Sequence, residues 1–333
     1  MKPTAFLATL TLTTSTYAAI LPAQPFRPRN APAHHYRLLH TLTPPLPAPG
    51  QGRMLSFSQA QEAQSTRGGA VLALPPVGAQ PPSSPPAVTT VEGTWRVPQA
   101  DAPTSGPTAN NSVGVYAASF WIGLSAAAPC SAASTTLRAG VDVFWDGTFG
   151  GEQSPFAWYQ FPGQATSTGM GNFSVAAGDL VRFELRAEDA GRWVEVAVEN
   201  FGAGPATDGR EEGDDAASGD VGLLVPRQRA SQRFELGDAA SASTSAADCG
   251  RRVSWLVEDF PLAGLPDVPV ALANFTSVTF EDAAVTSADG QVRDVSEAEV
   301  MDIRLDAQGG RLTECELMGE GRLRCARVVG EDE

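Results

Sequence analysis

The chain has 333 residues, 42% of them hydrophobic, with 23 basic and 38 acidic side chains, three histidines and four cysteines. That apolar fraction supports a packed core and excludes wholesale disorder, and so acidic a chain repels phosphate backbones, which argues against nucleic acid as a partner. His34, His35 and His40 are the only histidines, so beyond residue 40 no Ser-His-Asp, Cys-His or His-ligated zinc site can be built. Catalysis in the body falls to carboxylates, amides, hydroxyls and arginine, with no metal and no cofactor expected.

Residues 1–18 read as a secretory signal: Lys2, an apolar-to-neutral run from Ala5 to Thr14, then Thr16-Tyr17-Ala18 as a cleavage site of small residues. Residues 19–66 are rich in Pro, Gln, Ala and Arg without a sustained period, and read as a propeptide or flexible basic leader. Residues 1–67 hold Lys2, Arg27, Arg29, Arg37, Arg53 and Arg67 against Glu62 alone, which leaves 17 of the 23 basic and 37 of the 38 acidic residues to the rest. A basic leader ahead of an acidic body is charged to dock on it. After the signal no apolar run reaches about 18 residues, so no membrane-spanning helix is expected. The expected product is a secreted, extracellular monomer with its body at residues 67–333.

From Gly68 the pattern becomes short β-branched and aromatic runs separated by Gly, Pro, Asp and Ser. The spacing predicts strands at Gly69–Leu74, Thr89–Val97, Val113–Leu124, Thr135–Trp145, Phe156–Phe161, Leu180–Ala187 and Arg192–Asn200. Further strands are predicted at Ser254–Phe260, Phe275–Phe280, Val300–Leu305 and Arg311–Leu317. Alternation is clearest in Val181-Arg182-Phe183-Glu184-Leu185-Arg186 and in Trp193-Val194-Glu195-Val196-Ala197-Val198, two arms of a hairpin. Ala203–Asp220 and Gly237–Ala247 read as surface loops. No amphipathic helix is evident. The expected fold is all-β: one antiparallel β-sandwich of two packed sheets, concanavalin-like, in a single domain.

Four cysteines in an exported chain suggest two disulfides, for which three connectivities are formally possible. Cys315 and Cys325 flank an apparent hairpin and are placed to bridge it, which leaves Cys130 with Cys249. Asn110, Asn172 and Asn274 each begin a glycosylation acceptor triplet.

An ordered set of segments resembles the fungal glutamic peptidases (eqolisins), acid endopeptidases with a double-sheet sandwich. The set comprises Gly68–Leu72, Thr94–Pro98, Phe120-Trp121-Ile122-Gly123, Leu137–Asp142 and Ala157-Trp158-Tyr159. It continues with Gly178-Asp179, Trp255-Leu256-Val257-Glu258-Asp259-Phe260, Ala273–Phe280 and Val300–Ile303. The resemblance implies polypeptide substrates and a catalytic Glu–Gln pair, in which the glutamate relays protons while the glutamine orients water and stabilises the oxyanion. Glu258 matches the glutamate; by itself it reads rather as the surface end of a strand, and the resemblance reverses that. Cys130 and Cys249 match the family's disulfide positions, and Cys315 with Cys325 is an addition.

At the glutamine position this chain has Arg138. Alternation puts Leu137, Ala139, Val141 and Val143 on the core face, so Arg138, Gly140 and Asp142 share the face that in the family lines the substrate cleft. A guanidinium beside Glu258 depresses the carboxylate's pKa, weakening it as base and as acid, while serving as an oxyanion donor. The rival arrangement pairs Arg138 with Asp142. Two acidic residues of the family pattern are also replaced, by Ser125 and Gln160, whereas Trp121, Asp142 and Trp158 are kept as substrate-binding candidates together with Gln160; either tryptophan reads equally well as core. The leading function is a secreted acid glutamic endopeptidase weakened by Arg138. The alternatives are a peptide-binding pseudoenzyme and a carbohydrate-binding sandwich. A glycosidase would need a second well-placed carboxyl besides Glu258, and Asp259, its neighbour along the strand, points the other way.

Overall fold

The computed structural model describes residues 66–74, 88–102, 114–126, 136–147, 151–162, 164, 166–188, 193–203, 225–235, 251–259, 261–262, 265–269, 271–287, 290–304 and 310–329. Within these residues the strands are β1 (Arg67–Leu74), β2 (Val88–Arg96), β3 (Val115–Ala126), β4 (Leu137–Asp146), β5 (Gly151–Gln160), β6 (Thr168–Gly169), β7 (Asp179–Glu188), β8 (Trp193–Ala203) and β9 (Gln228–Glu235). They continue with β10 (Arg251–Glu258), β11 (Pro261–Leu262), β12 (Leu265–Pro269), β13 (Ala271–Leu272), β14 (Ser277–Thr286), β15 (Val292–Asp294), β16 (Glu299–Met301), β17 (Thr313–Gly319) and β18 (Arg322–Arg327). No α-helix occurs among the described residues, and a 3-10 turn, Val295–Glu297, precedes β16.

Two sheets of eight strands carry the body. The first runs β16-β1-β10-β3-β4-β5-β6, with β13 paired to β3; the second runs β17-β18-β14-β2-β7-β8-β9, with β15 paired to β14. β11 and β12 pair only with each other among the described residues. This is the expected antiparallel sandwich. Its core takes alternate residues from both sheets: Val181, Phe183 and Leu185 of β7 and Val194, Val196 and Val198 of β8 face Phe120 and Ile122 of β3 and Val253, Trp255 and Val257 of β10. Trp95 stacks on Phe183 with centroids 4.8 Å apart, and Phe120 meets Phe275 edge-on at 5.2 Å. Each such fully buried ring contributes roughly 1.5–3 kcal/mol over its exposed state.

Trp255 ties the sheets together close to the end of β10. Its indole nitrogen donates to the carbonyl of Glu92 at 2.8 Å, across the sandwich. Gly69 lets β1 close on β10: its φ is +130°, and a Cβ there would lie 2.2 Å from the Trp255 carbonyl oxygen. β10 is thereby fixed on one edge by β1 and on the other by β3.

The structure departs from the expected strands at several places: β14 runs on to Thr286, β15 is additional, and the strand expected at Val300–Leu305 is the short β16 (Glu299–Met301). β5 begins at Gly151, ahead of the predicted Phe156, and passes Pro155 through a register shift opposite Asp142–Phe144. A proline has no amide to give a ladder, so it is accommodated where pairing is already interrupted. β9 was not anticipated, because nearly all of its side chains are exposed and the strand shows no apolar alternation. The predicted loops 204–220 and 237–247, Cys130, Cys249, Asn110, the signal and the leader up to residue 65 lie outside the described residues. Cys315 and Cys325 are directly paired on β17 and β18 and joined by a disulfide, as expected.

Candidate active site

The outer face of the first sheet carries three cross-strand rows. One runs Arg67, Glu258, Ser119, Asp142, Phe156; the next Gly69, Leu256, Trp121, Gly140, Trp158; the third Val71, Ser254, Gly123, Arg138, Gln160. Every substrate-binding and catalytic candidate, Glu258, Arg138, Trp121, Asp142, Trp158 and Gln160, therefore sits on one face. Trp121, Trp158 and Leu256 form an apolar cluster of their own, separate from the inter-sheet core. This settles both tryptophans as floor of this face.

Gly140 is the gap that lets the floor form. It lies in register between Trp121 and Trp158, and a Cβ on it would come 2.5 Å from the Trp121 Cβ and 2.1 Å from the Phe120 carbonyl oxygen. Gly123 likewise lies under the ring edge of Trp121. With no side chains at these positions, Trp121 lies flat along the face, where charged groups reach over it.

Arg138 starts two rows and two strands away from Glu258, and its long side chain spans that diagonal. Its Cζ lies 5.4 Å from the Trp121 centroid and 5.7 Å from that of Trp158, within cation–π range. From there Nη1 donates to Glu258 Oε2 at 3.3 Å, while Nε donates to Gln160 Oε1 at 2.6 Å. The Gln160 amide in turn donates to the Gln164 carbonyl at 2.7 Å. Asp142 takes a different direct contact: Trp158 Nε1 donates to its Oδ1 at 2.6 Å. The coupling to Glu258 expected from the sequence is present, and Asp142 acts on the same guanidinium as a smaller electrostatic partner.

A second cation on Glu258 was missed. Arg67 faces Glu258 directly in register; its Nε donates to Oε1 at 2.9 Å, and Nη2 lies 2.9 Å from the same oxygen. Its Cζ is 5.6 Å from the Trp121 centroid, so one indole underlies both guanidinium groups. Arg67 looked like the last member of the basic leader, and only the β1–β10 register shows otherwise. Burial pulls the Arg138 pKa below the ordinary guanidinium value, with Glu258 opposing, yet that value starts so high that the group stays charged. Two guanidinium groups thus lie against the one carboxylate of Glu258. Each carboxylate oxygen has two lone pairs, so Glu258 can still accept from water while held by arginine.

Asn172 is exposed in a turn with φ 59°, and Asn274 is half-buried with its Oδ1 accepting from the Thr276 amide at 3.2 Å. Ser125, at the end of β3, pairs in register with Arg252. Among the described residues no group of His, Cys, Asp and Glu is placed to hold a metal ion.

One glutamate thus stands over a tryptophan floor on the outer face of a double-sheet sandwich. The chain belongs to the Peptidase A4 family, the glutamic peptidases, whose family model matches residues 75–209 and 228–327. Those segments include Arg138, Gln160 and Glu258, whereas Arg67 precedes them. No curated protein matches the chain.

Proposed function

We propose that this chain is a secreted glutamic peptidase homologue that binds polypeptides over Trp121 and Trp158 and cleaves them slowly in acid. The observation that carries the reading is Arg138 Nη1 at 3.3 Å from Glu258 Oε2, at the position where the family's glutamine is expected. In this reading Glu258 takes a proton from the attacking water, and Arg138 donates to the carbonyl oxygen as it becomes an oxyanion. Return of the proton to the leaving amine needs the neutral acid between two guanidinium groups, which makes that step slow. The reading includes export through the signal at residues 1–18, a removable leader at 19–66, a body from residue 67 with a Cys130–Cys249 bridge, and glycans at the acceptor asparagines.

A second reading, a peptide-binding protein without turnover, is favoured by the additional ion pair from Arg67. Digestion of a denatured protein at about pH 2–5, with pepstatin present to silence aspartic peptidases, separates the two. Slow cleavage that disappears in Glu258→Gln supports the enzyme. Peptide binding without any Glu258-dependent cleavage supports the second reading and refutes the first.

A further inference from the structure

We infer that Gln160 is a positioning residue, which restrains Arg138 so that its guanidinium is held back from Glu258 instead of closing on it. The bearing of this restraint on rate rests on the reading of the face as a slow peptidase site, where Gln160 was expected to bind substrate.

Two contacts of Arg138 are unequal. Nε donates to Gln160 Oε1 at 2.6 Å, whereas Nη1 reaches Glu258 Oε2 only at 3.3 Å. A guanidinium–carboxylate bond ordinarily measures about 2.7–2.9 Å, and Arg67 attains 2.9 Å on the other oxygen of the same carboxylate. The neutral amide thus has the closer hold, although the opposite charge is the stronger attractor. Strand order explains it. Arg138 and Gln160 stand in register on β4 and β5, while Glu258 lies on β10, beyond β3. The cross-strand neighbour fixes the near end of the guanidinium at Nε, and the carboxylate meets its far end.

Gln160 is itself braced. Its Nε2 donates to the Gln164 carbonyl at 2.7 Å, and Gln164 closes a turn on Phe161: its amide donates to the Phe161 carbonyl and its Oε1 accepts from the Phe161 amide, both at 3.1 Å. A guanidinium has no acceptor and a carbonyl has no donor, so only one orientation of the Gln160 amide satisfies both neighbours. Arg138 and Gln160 are each 6% exposed, so losing their bond leaves a buried donor unsatisfied. Trp121 and Trp158 attract the guanidinium through their faces but give it no directional stop. Released from Gln160, it would slide over the indoles onto Glu258 and take carboxylate lone pairs with which the base accepts the proton of water.

The test uses the full chain with Gln160→Met, which keeps the length and loses the acceptor, and Gln160→Glu, which keeps the acceptor and adds a charge. Urea unfolding near neutral pH of each, alone and combined with Arg138→Gln and Glu258→Gln, reads the coupling between Arg138 and Glu258. That coupling grows in Gln160→Met and shrinks in Gln160→Glu, opposite signs that a merely structural glutamine would not produce. In acid digestion with pepstatin, Gln160→Met lowers kcat about tenfold and leaves KM unchanged, the mark of a misplaced group and not of a lost substrate contact. In the Arg138→Gln background the same substitution changes neither. A raised KM with kcat kept assigns Gln160 to substrate binding and overturns the restraint. So does a coupling that is unchanged or weaker in Gln160→Met, or stronger in Gln160→Glu. If the wild type shows no Glu258-dependent cleavage, the peptidase reading fails, and the urea cycle then decides the restraint by the same two signs.

Discussion

Arg138→Gln is the substitution on which the chemistry turns. It removes the 3.3 Å pair with Glu258 and the bond to Gln160, and it puts an amide beside the carboxylate. Deleting one partner of a buried ion pair costs about 3–5 kcal/mol, and the lower end, about 3 kcal/mol, is expected because Arg67 still holds Oε1. The catalytic effect has the opposite sign. An oxyanion donor is worth about 10²–10³ in rate, but the incoming amide supplies one in return. A properly tuned acid–base group contributes about 10²–10⁴, and with Arg67 left in place only part of that is recovered. A gain of about tenfold in acid digestion is therefore expected, together with lower thermal stability. If the wild type digests protein efficiently and the variant is no faster, arginine is a competent partner and the reasoning fails.

Trp158→Phe removes a 2.6 Å donor to the buried Asp142, a bond to a charged group worth about 1.5–3 kcal/mol, and urea unfolding should register a loss of that size. Gly140→Ala forces a Cβ against the Phe120 carbonyl and Trp121; a loss above about 3 kcal/mol is expected, and a melting temperature within a degree of wild type would refute the packing argument. Replacing both Cys315 and Cys325 by serine opens the β17–β18 hairpin constraint, with an expected cost of about 2–3 kcal/mol in chemical denaturation. Non-reducing peptide mapping of the untreated protein should also find Cys130 linked to Cys249, and a Cys130–Cys315 link would contradict that pairing.

The sandwich was legible wherever one strand face is buried and the other is not. β7 and β8 alternate because their valines and Phe183 enter the core while arginines and glutamates leave it. β9 was silent for the complementary reason: a strand that buries almost nothing has no alternation to show. For the site, alternation in β4 was enough to put Arg138 on the outer face, and the family resemblance supplied Glu258 opposite it. Arg67 was beyond the reach of either. Its partner is 191 positions away, and the pairing depends on the register of β1 against β10. Local sequence marks the start of that strand as the tail of a basic segment. The role of Trp121 was similarly hidden, since an indole lying beneath two guanidinium groups requires the bare backbone of Gly123 on its own strand and of Gly140 on the neighbouring one.

The three rows have a consequence for engineering. The acidic and basic groups stand on rungs of central strands, so their spacing is set by the hydrogen-bond ladder and not by the segments that connect the strands. A slip of one residue in β4 would send Arg138 inward and Leu137 outward, at a cost the core does not permit. The connecting segments can be lengthened, shortened or exchanged while the rungs keep the charges in place. The scaffold thus behaves as a chassis with a fixed reactive deck, on which new walls for other peptides can be raised from the strand ends.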